Sequence, residues 1–198
     1  MELKKIYLAS KSPRRRDLLQ MLGVEFEIIH QDIDESIPPD LIPAKVPEFI
    51  ARQKLDSVIN QIPVDGIGLS ADTIVLLEGE IYGKPESEKA AKEMLLSLSG
   101  KTHEVITGVY MSYKDEITQF SSSTFVTFKQ LTESECSFYI ETYKPLDKAG
   151  SYAIQEWLGL IGIEKIEGDY YNIVGLPVQK VYDLVKRWSL QDPLSYSS

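Results

Sequence analysis

The chain is expected to be an α/β protein. Its large, mixed and twisted sheet should be flanked by helices, with two lobes around a central cleft. Three observations carry that expectation. Apolar runs of strand type alternate with stretches of helical period along the 198 residues, the pattern of helices layered on a sheet. The run Ile67–Leu77 is almost continuously apolar, as strands buried on both faces are. Two β-rich segments, 105–110 and 123–128, flank a Lys114-Asp115 turn and predict a long hairpin, which adds antiparallel pairs to the sheet. The long hairpin and the last third of the chain are the candidates for the second lobe. Length and a hydrophobic content of 43% suit one domain over 1–198, with a polar tail at 190–198 expected to fray.

Taken in order, Ile6, Tyr7, Leu8 and Ala9 predict a first strand, and Ser10-Lys11-Ser12-Pro13-Arg14-Arg15-Arg16 turns it into a helix. Ser12 suits the N-cap, Pro13 the first helical position and Gly23 the C-terminal cap. Three arginines crowd the first turn, where the helix dipole already contributes about +0.5 of a charge. A helix built for stability alone would carry Asp or Glu there. Free backbone N–H groups beside a fork of guanidiniums make an anion site, and phosphate is the reading adopted here. A solvated basic turn offset by Asp17 is the plainer alternative.

Residues 25–29 alternate like a half-buried strand and lead to the acidic loop Asp32-Ile33-Asp34-Glu35-Ser36. A helix is expected over about 45–60, and at ~100° per residue Ile50, Ala51, Lys54, Leu55 and Val58 fall on one stripe. Lys54 lies near the middle of that stripe and requires an anionic partner; a structural salt bridge and a ligand contact satisfy this equally. Asp72 interrupts the apolar run at 67–77. An isolated buried carboxylate is expensive, so Asp72 must be paired, metal-bound, facing a polar cleft or satisfied by backbone N–H groups.

Ile81-Tyr82 and Gly83-Lys84-Pro85 follow a Glu78-Gly79-Glu80 turn, and Ser87 caps a helix ending at Gly100. Thr132-Glu133-Ser134-Glu135 has the form of a capping box for another helix, to about Tyr143. Segment 147–155 has no clear period and reads as a ligand-facing loop or short helix. Residues 160–168 read as a late strand, and Pro177 starts a last helix with Val178, Val181, Tyr182 and Val185 on one face.

Bulk properties narrow the chemistry. A formal net charge of −9 opposes a nucleic-acid polymer or a membrane surface as partner. The basic cluster is thus a local exception that favours a small anion. Cys136 is the sole cysteine, so no intrachain disulfide forms and a reducing, cytoplasmic location is expected. No signal segment is evident and no apolar run approaches the ~20 residues of a membrane helix. His30 and His103 lack metal-ligand spacing, Cys136 falls within an amphipathic helix, and neither a P-loop nor a dinucleotide-binding glycine motif occurs. Arg14, Arg15, Arg16, Lys54 and Lys84 with Glu35 and Asp72 are the inventory of phosphoryl or nucleotidyl chemistry. There, cations and a divalent metal neutralise phosphates while a carboxylate positions water.

These residues fall in an ordered set of motifs: Leu8-Ala9-Ser10-Lys11-Ser12-Pro13-Arg14-Arg15, Asp34-Glu35, Lys54, Ala71-Asp72-Thr73-Ile74-Val75, Gly83-Lys84-Pro85 and Thr107-Gly108-Val109. They continue in Asp147-Lys148-Ala149-Gly150-Ser151-Tyr152-Ala153-Ile154-Gln155 and Gly168-Asp169-Tyr170-Tyr171-Asn172-Ile173-Val174-Gly175-Leu176-Pro177. In this set the chain resembles the Maf family of nucleotide pyrophosphatases, historically named for septum formation, over nearly its whole length.

The resemblance implies an ITPase-like α/β fold whose cleft takes a nucleoside triphosphate. It implies cleavage between the α- and β-phosphates with a divalent metal, Mg²⁺ or Mn²⁺. It makes Asp72 the proton acceptor that activates water. Ser10, Arg14, Arg15, Lys54 and Lys84 would hold the triphosphate, and Glu35 would bind metal or phosphate. The branch resembled is the one specific for dTTP and UTP, with modified pyrimidine nucleotides as further candidates, and its base-selecting positions fall on Arg14, Thr73 and Gln155. The Gln155 amide offers both a donor and an acceptor to the O4/N3–H edge of uracil or thymine. Trp157-Leu158 stands where related sequences are often glycine-rich, and Lys11 where glycine is common. A homodimer is common in families of this type. The competing readings are a non-catalytic nucleotide-binding regulator of septum formation and a nucleotidyl or sugar-phosphate transferase, which would require a second substrate.

Overall fold

The computed structural model describes residues 3–191. Among them the strands are β1 (Ile6–Ala9), β2 (Phe26–Ile29), β3 (Ile67–Leu77), β4 (Glu80–Tyr82), β5 (Thr102–Tyr113), β6 (Glu116–Phe128) and β7 (Ile163–Glu167). They form one sheet in the order β2-β1-β3-β5-β6-β7, with β4 paired to the far end of β3. β1 runs parallel to β2 and β3, and every other described pair is antiparallel, so the sheet is mixed as expected. The helices are α1 (Pro13–Leu22), α2 (Val46–Asp56), α3 (Glu88–Leu98), α4 (Glu133–Tyr143), α5 (Trp157–Gly162), α6 (Tyr170–Val174) and α7 (Val178–Gln191).

The hairpin β5–β6 is not a lobe of its own. β3, β5 and β6 have 11, 12 and 13 residues, and at ~3.3 Å per residue they are long enough, roughly 35–45 Å, to serve two cores. In the first core Ile67, Leu69 and Ala71 of β3 lie with Val109 and Met111 beneath Leu19 of α1 and Val181, Val185 and Trp188 of α7. In the second, Val75 and Leu77 lie with Val105 and Phe128 beneath Leu95 of α3 and Tyr139 of α4. Thr73 stands between the two cores on this face. On the opposite face α2 lies against Ile74, Ile106 and Tyr110.

β3 is also the strand with a gap along one side. β1 accompanies it only from Ile67 to Leu69, and β4 joins at Val75. Residues 70–74 therefore present an edge without a described partner strand, next to the carboxyl end of β1. Ligands of open α/β sheets bind outside such strand ends.

Local chemistry explains most boundaries. Gly23 closes α1 in the left-handed conformation at φ 71°, which costs glycine little. Ser12 occupies the N-cap position of α1 but makes no side-chain cap; its N–H instead donates to Ser10 Oγ at 3.2 Å. The capping box of α4 is complete, with Thr132 and Glu135 serving each other's backbone N–H. Donation from the Lys129 ammonium and the Thr132 backbone holds the Glu135 carboxyl down to about 2. α2 covers the middle of the helix expected at 45–60, flanked by short 3-10 turns Pro43–Lys45 and Ile59–Gln61. Its first turn rests on β5 at Gly108, where a Cβ would fall 2.2 Å from the Glu48 nitrogen. Gly108 pairs across the sheet with Asp72, so this close approach lays α2 over the Asp72 side chain.

The late strand begins later than its composition predicts. Residues 157–162 form α5, and only Ile163–Glu167 is extended. Leu158 and Ile161 both face the second core, a spacing of three that suits a helical turn and not a strand. α6 lies inside a segment with no period of its own; Asp169 caps it by accepting from Tyr171 N at 2.8 Å. α7 reaches Gln191, so residues 190 and 191 are helical and the remainder of the expected tail lies outside the described residues.

Candidate active site

The open stretch of β3, the turn after β1 and the loop before α5 surround a cleft of about 550 Å³. The site residues anticipated from the sequence border it, except Arg16, which turns to its neighbour Asp17 (Nε to Oδ1, 3.4 Å) and takes no part in the cleft.

Lys54 and Asp72 are the centre. The Lys54 ammonium donates to Asp72 Oδ1 at 2.7 Å and lies 3.0 Å from Glu35 Oε1. The Lys54 and Asp72 side chains are 17% and 19% exposed and that of Glu35 50%, so the cluster lies in the cleft wall with Glu35 at its rim. Both alternatives left open for Lys54 are therefore compatible with its position: it is paired with Asp72, and both border the cavity. Among the described residues no hydrogen bond engages Asp72 Oδ2.

Arg15 is a different kind of cation. Only 7% of it is exposed, yet among the described residues no carboxylate lies within ion-pair distance. Its Nε donates to the Gly175 carbonyl at 2.8 Å, Nη1 to Ser10 Oγ at 3.1 Å and Nη2 to Thr73 Oγ1 at 3.1 Å. Burial lowers its pKa, opposed by the nearby Asp72 charge. A guanidinium has five N–H donors, so two remain beyond these three. Thr73 also shares a hydrogen bond with Thr107 at 2.9 Å, and Thr107 donates to the Asn172 carbonyl at 3.0 Å. Arg15 thus ties α1, the middle of β3 and the end of α6 together.

Arg14 crosses the mouth of the cleft to Asp147, Nη1 to Oδ2 at 3.0 Å. Donation from Lys148 and Arg14 holds the Asp147 carboxyl below its ordinary range against the opposing effect of burial. Buried Lys148 also lies 3.4 Å from Glu156 Oε1. Glu156 accepts from the Tyr139 hydroxyl, which in turn accepts from Ala153 N at 3.1 Å. These contacts anchor both ends of segment 147–156, which presents exposed Gln155 to the cleft. Lys84 is exposed at the cavity wall and has no ion pair among the described residues. Lys11 pairs with Asp32 at 2.7 Å, both of them well exposed at the border of the cleft.

Asp147 was not singled out from the sequence as a site residue. The signal was present in the aperiodic segment it opens, but its partner Arg14 is 133 positions away. The residues left aside for other chemistry stay out of it. Cys136 is buried in α4, and His103 lies beneath Tyr152 with its pKa pushed down to about 4 by burial. Among the described residues no three His, Cys, Asp or Glu side chains converge as a ready-made metal site, and no helix is long and apolar enough to cross a membrane.

Comparison with known proteins gives a consistent picture. A protein from Thermosipho africanus named dTTP/UTP pyrophosphatase is 51% identical over 181 residues, covering 91% of this chain and 92% of its own length. Proteins of the same name from Phocaeicola vulgatus and Bacteroides thetaiotaomicron are 46% and 45% identical, covering 94% and 92% of this chain and 97% and 95% of their own. Among solved structures, a HAM1 protein from Coxiella burnetii shares the fold with a TM-score of 0.50 and 12% identity, over 93% of this chain and 100% of that one. Residues 5–188 match the family described as Maf-like protein, and the chain belongs to that family.

Proposed function

We propose that the chain is a nucleoside-triphosphate pyrophosphatase that hydrolyses dTTP and UTP to the monophosphate and pyrophosphate. The observation that carries this reading is the placement of the Asp72 carboxylate on a rigid strand in the same cleft wall as Arg14, Arg15, Lys54 and Lys84. The names of the relatives at 45–51% identity supply the substrate.

In this reading Ser10 and the cations bind the triphosphate, and Asp72 accepts the proton of the attacking water. Water oxygen joins the α-phosphorus as the bond to the bridging oxygen of the β-phosphate breaks, and pyrophosphate leaves with that oxygen. Lys54 fixes one oxygen of Asp72 and leaves Oδ2 for the water. A base on a strand is held more precisely than one on a loop. Arg14 and Gln155 border the part of the cleft that would receive the base, while Thr73 is engaged by Arg15 and Thr107.

The donor set fits a hard divalent cation. Mg²⁺ is usually held by one or two carboxylates together with substrate phosphates, and Asp72 and Glu35 both come within about 3 Å of one cation, the Lys54 ammonium. A divalent metal bound there supplies charge neutralisation and activates water.

Pyrophosphate release from a panel of purine and pyrimidine triphosphates with Mg²⁺ or Mn²⁺ tests the proposal. Release from dTTP and UTP is expected, and equal rates on all bases refute the assignment of substrate. Asp72→Asn should lower kcat by about 10²–10⁴-fold, the usual contribution of a general base, while nucleotide binding persists. An Asn variant as fast as the parent removes Asp72 from the role. Binding without turnover in the parent chain would make it a nucleotide-binding regulator instead.

A further inference from the structure

Beside the cation-lined cleft lies a second cavity of about 310 Å³, bordered by Asp17, Leu18 and Met21 of α1 and by Tyr170, Tyr171 and Val174 of α6. It adjoins the first, with Arg14, Gln155 and Val174 bordering both. The two arms have different chemistry. The first holds Lys54, Asp72, Lys84 and Arg15; the second is walled mainly by apolar and aromatic groups.

Its lining is unusually exposed for such residues. Met21 is 74% exposed, Tyr170 40% and Tyr171 43%. The two tyrosine rings meet edge to face, 5.5 Å apart at 87°, which leaves ring faces to contact another planar group. They are not needed to seat α6: buried Asn172 does that, donating from Nδ2 to the Val105 carbonyl and Thr124 Oγ1, each at 3.0 Å. Exposed aromatic rings and a methionine around a small hollow are a binding surface for a flat, weakly polar body. The volume stands at the low end of ligand pockets, about 300–1,000 Å³, and suits a single ring with part of a sugar.

We infer that this side pocket receives the pyrimidine base of the nucleotide, stacked on one ring of the Tyr170–Tyr171 pair and met edge-on by the other, with Met21 against it, while Gln155 at the junction reads its edge. The inference rests on the proposed nucleotide substrate and adds to it a stacking platform on α6 and α1. A base there is joined through its sugar to phosphates in the first arm, with Arg14 at the crossing. Stacking is insensitive to which base is bound, so the tyrosines supply affinity and the Gln155 amide supplies selection. Such binding acts alike on bound substrate and transition state, so its loss raises KM and spares kcat.

The test compares the full chain with Tyr170→Ala/Tyr171→Ala, Tyr170→Phe/Tyr171→Phe and Met21→Asp. Equilibrium binding of dTTP in EDTA and of inorganic tripolyphosphate is measured for each, with dTTP turnover in Mg²⁺. Stacking of one base on an aromatic ring corresponds to at least about a fivefold change in affinity on removal. The expected result is a loss of dTTP affinity of that size or more in the double-alanine and Met21→Asp variants. Tripolyphosphate binding should be unchanged, kcat should stay within about threefold, and the double-phenylalanine variant should retain parental affinity. Unchanged dTTP affinity in both disrupted variants overturns the inference. Equal weakening of dTTP and tripolyphosphate also overturns it, since the rings would then shape the phosphate arm. A parent chain that binds dTTP without releasing pyrophosphate defeats the proposed activity, and the binding comparison still decides the base pocket.

Discussion

Removing Lys54 strands two acids at once, and the cost can be worked from the geometry. The ammonium lies 2.7 Å from Asp72 Oδ1 and 3.0 Å from Glu35 Oε1. A hydrogen bond between charged groups contributes about 1.5–3 kcal/mol net when partly shielded, and an exposed pair about 0.2–1 kcal/mol. Asp72 is the shielded partner and Glu35 the exposed one, so Lys54→Met should destabilise by about 2–3 kcal/mol. For a chain of this length that corresponds to a fall in Tm of roughly 4–12 °C. Asp72→Asn should cost less, because Lys54 keeps Glu35. The decisive quantity is the double variant. With Asp72 neutralised, loss of Lys54 no longer leaves two carboxylates facing each other, so the double variant should be more stable than the sum of the singles by about 1–2 kcal/mol. Urea unfolding of the four proteins at neutral pH measures this coupling. A coupling below about 0.5 kcal/mol, the ordinary scatter of additivity, would show that the Lys54–Asp72 pair is not formed in solution and would remove the stated restraint on the Asp72 carboxylate.

Gln155→Glu should lower kcat/KM for dTTP and UTP about tenfold, the cost of one mismatched hydrogen bond, and flatten the preference between bases; an unchanged profile in the nucleotide panel argues against Gln155 as reader. Asp147→Asn frees Arg14 from an exposed ion pair and should lower KM for the triphosphate by up to about fivefold, since such pairs are worth about 0.2–1 kcal/mol; a KM that rises means Asp147 orients Arg14 productively. His103 titrates at about 4 because it is buried, against about 6.5 when unfolded. Between those values the unfolded chain binds the extra proton, so stability falls as pH drops from about 6.5 towards 4, by up to about 3 kcal/mol. Denaturant unfolding from pH 7 to 4 should show a slope that is shallower in His103→Gln, and parallel curves would assign the acid sensitivity to other groups.

Elements with strong local punctuation were readable from the chain. α1 lies between Pro13 and Gly23, and α4 begins at a capping box whose partners are three residues apart. β3 announced itself by apolar content, and the misfit of Asp72 within it pointed to a polar partner. Lys54 on the inward stripe of a helix pointed to an acid without saying which. The helical spacing does place Lys54 near the β3 side of α2, but only Gly108, by letting α2 settle on β5, brings the ammonium to Asp72 18 positions on. Contacts of that kind depend on how elements stack and not on local pattern. The same holds for Arg15, whose three acceptors come from three elements. α5 and α6 are too short to show a period, and their stability comes from Leu158 in the core and from the buried Asn172.

The ion pairs also bear on which anions the cleft would accept under the proposed activity. On a chain of net charge −9, Arg14 answers to Asp147 and Lys54 to Asp72 and Glu35, so a phosphate bids for these cations against carboxylates already in place. A single phosphate group carries about −1.5 to −2 charges at neutral pH and gains little by displacing acids that hydrogen-bond equally well. A triphosphate reaches several of these cations together, and a divalent metal compensates the acids it displaces. Selection for a polyphosphate over a monophosphate thus follows from competition built into the site, as specificity by penalty does elsewhere. The same competition aids turnover. Once the chain of phosphates is cut, neither product spans the cations, and Asp147 and Asp72 reclaim Arg14 and Lys54. Neutralising Asp147 therefore bears on release as well as on binding. If release limits the rate, Asp147→Asn should lower kcat along with KM, and the monophosphate product should inhibit it more strongly than the parent. Equal product inhibition in the two proteins would show that the acid takes no part in the exchange.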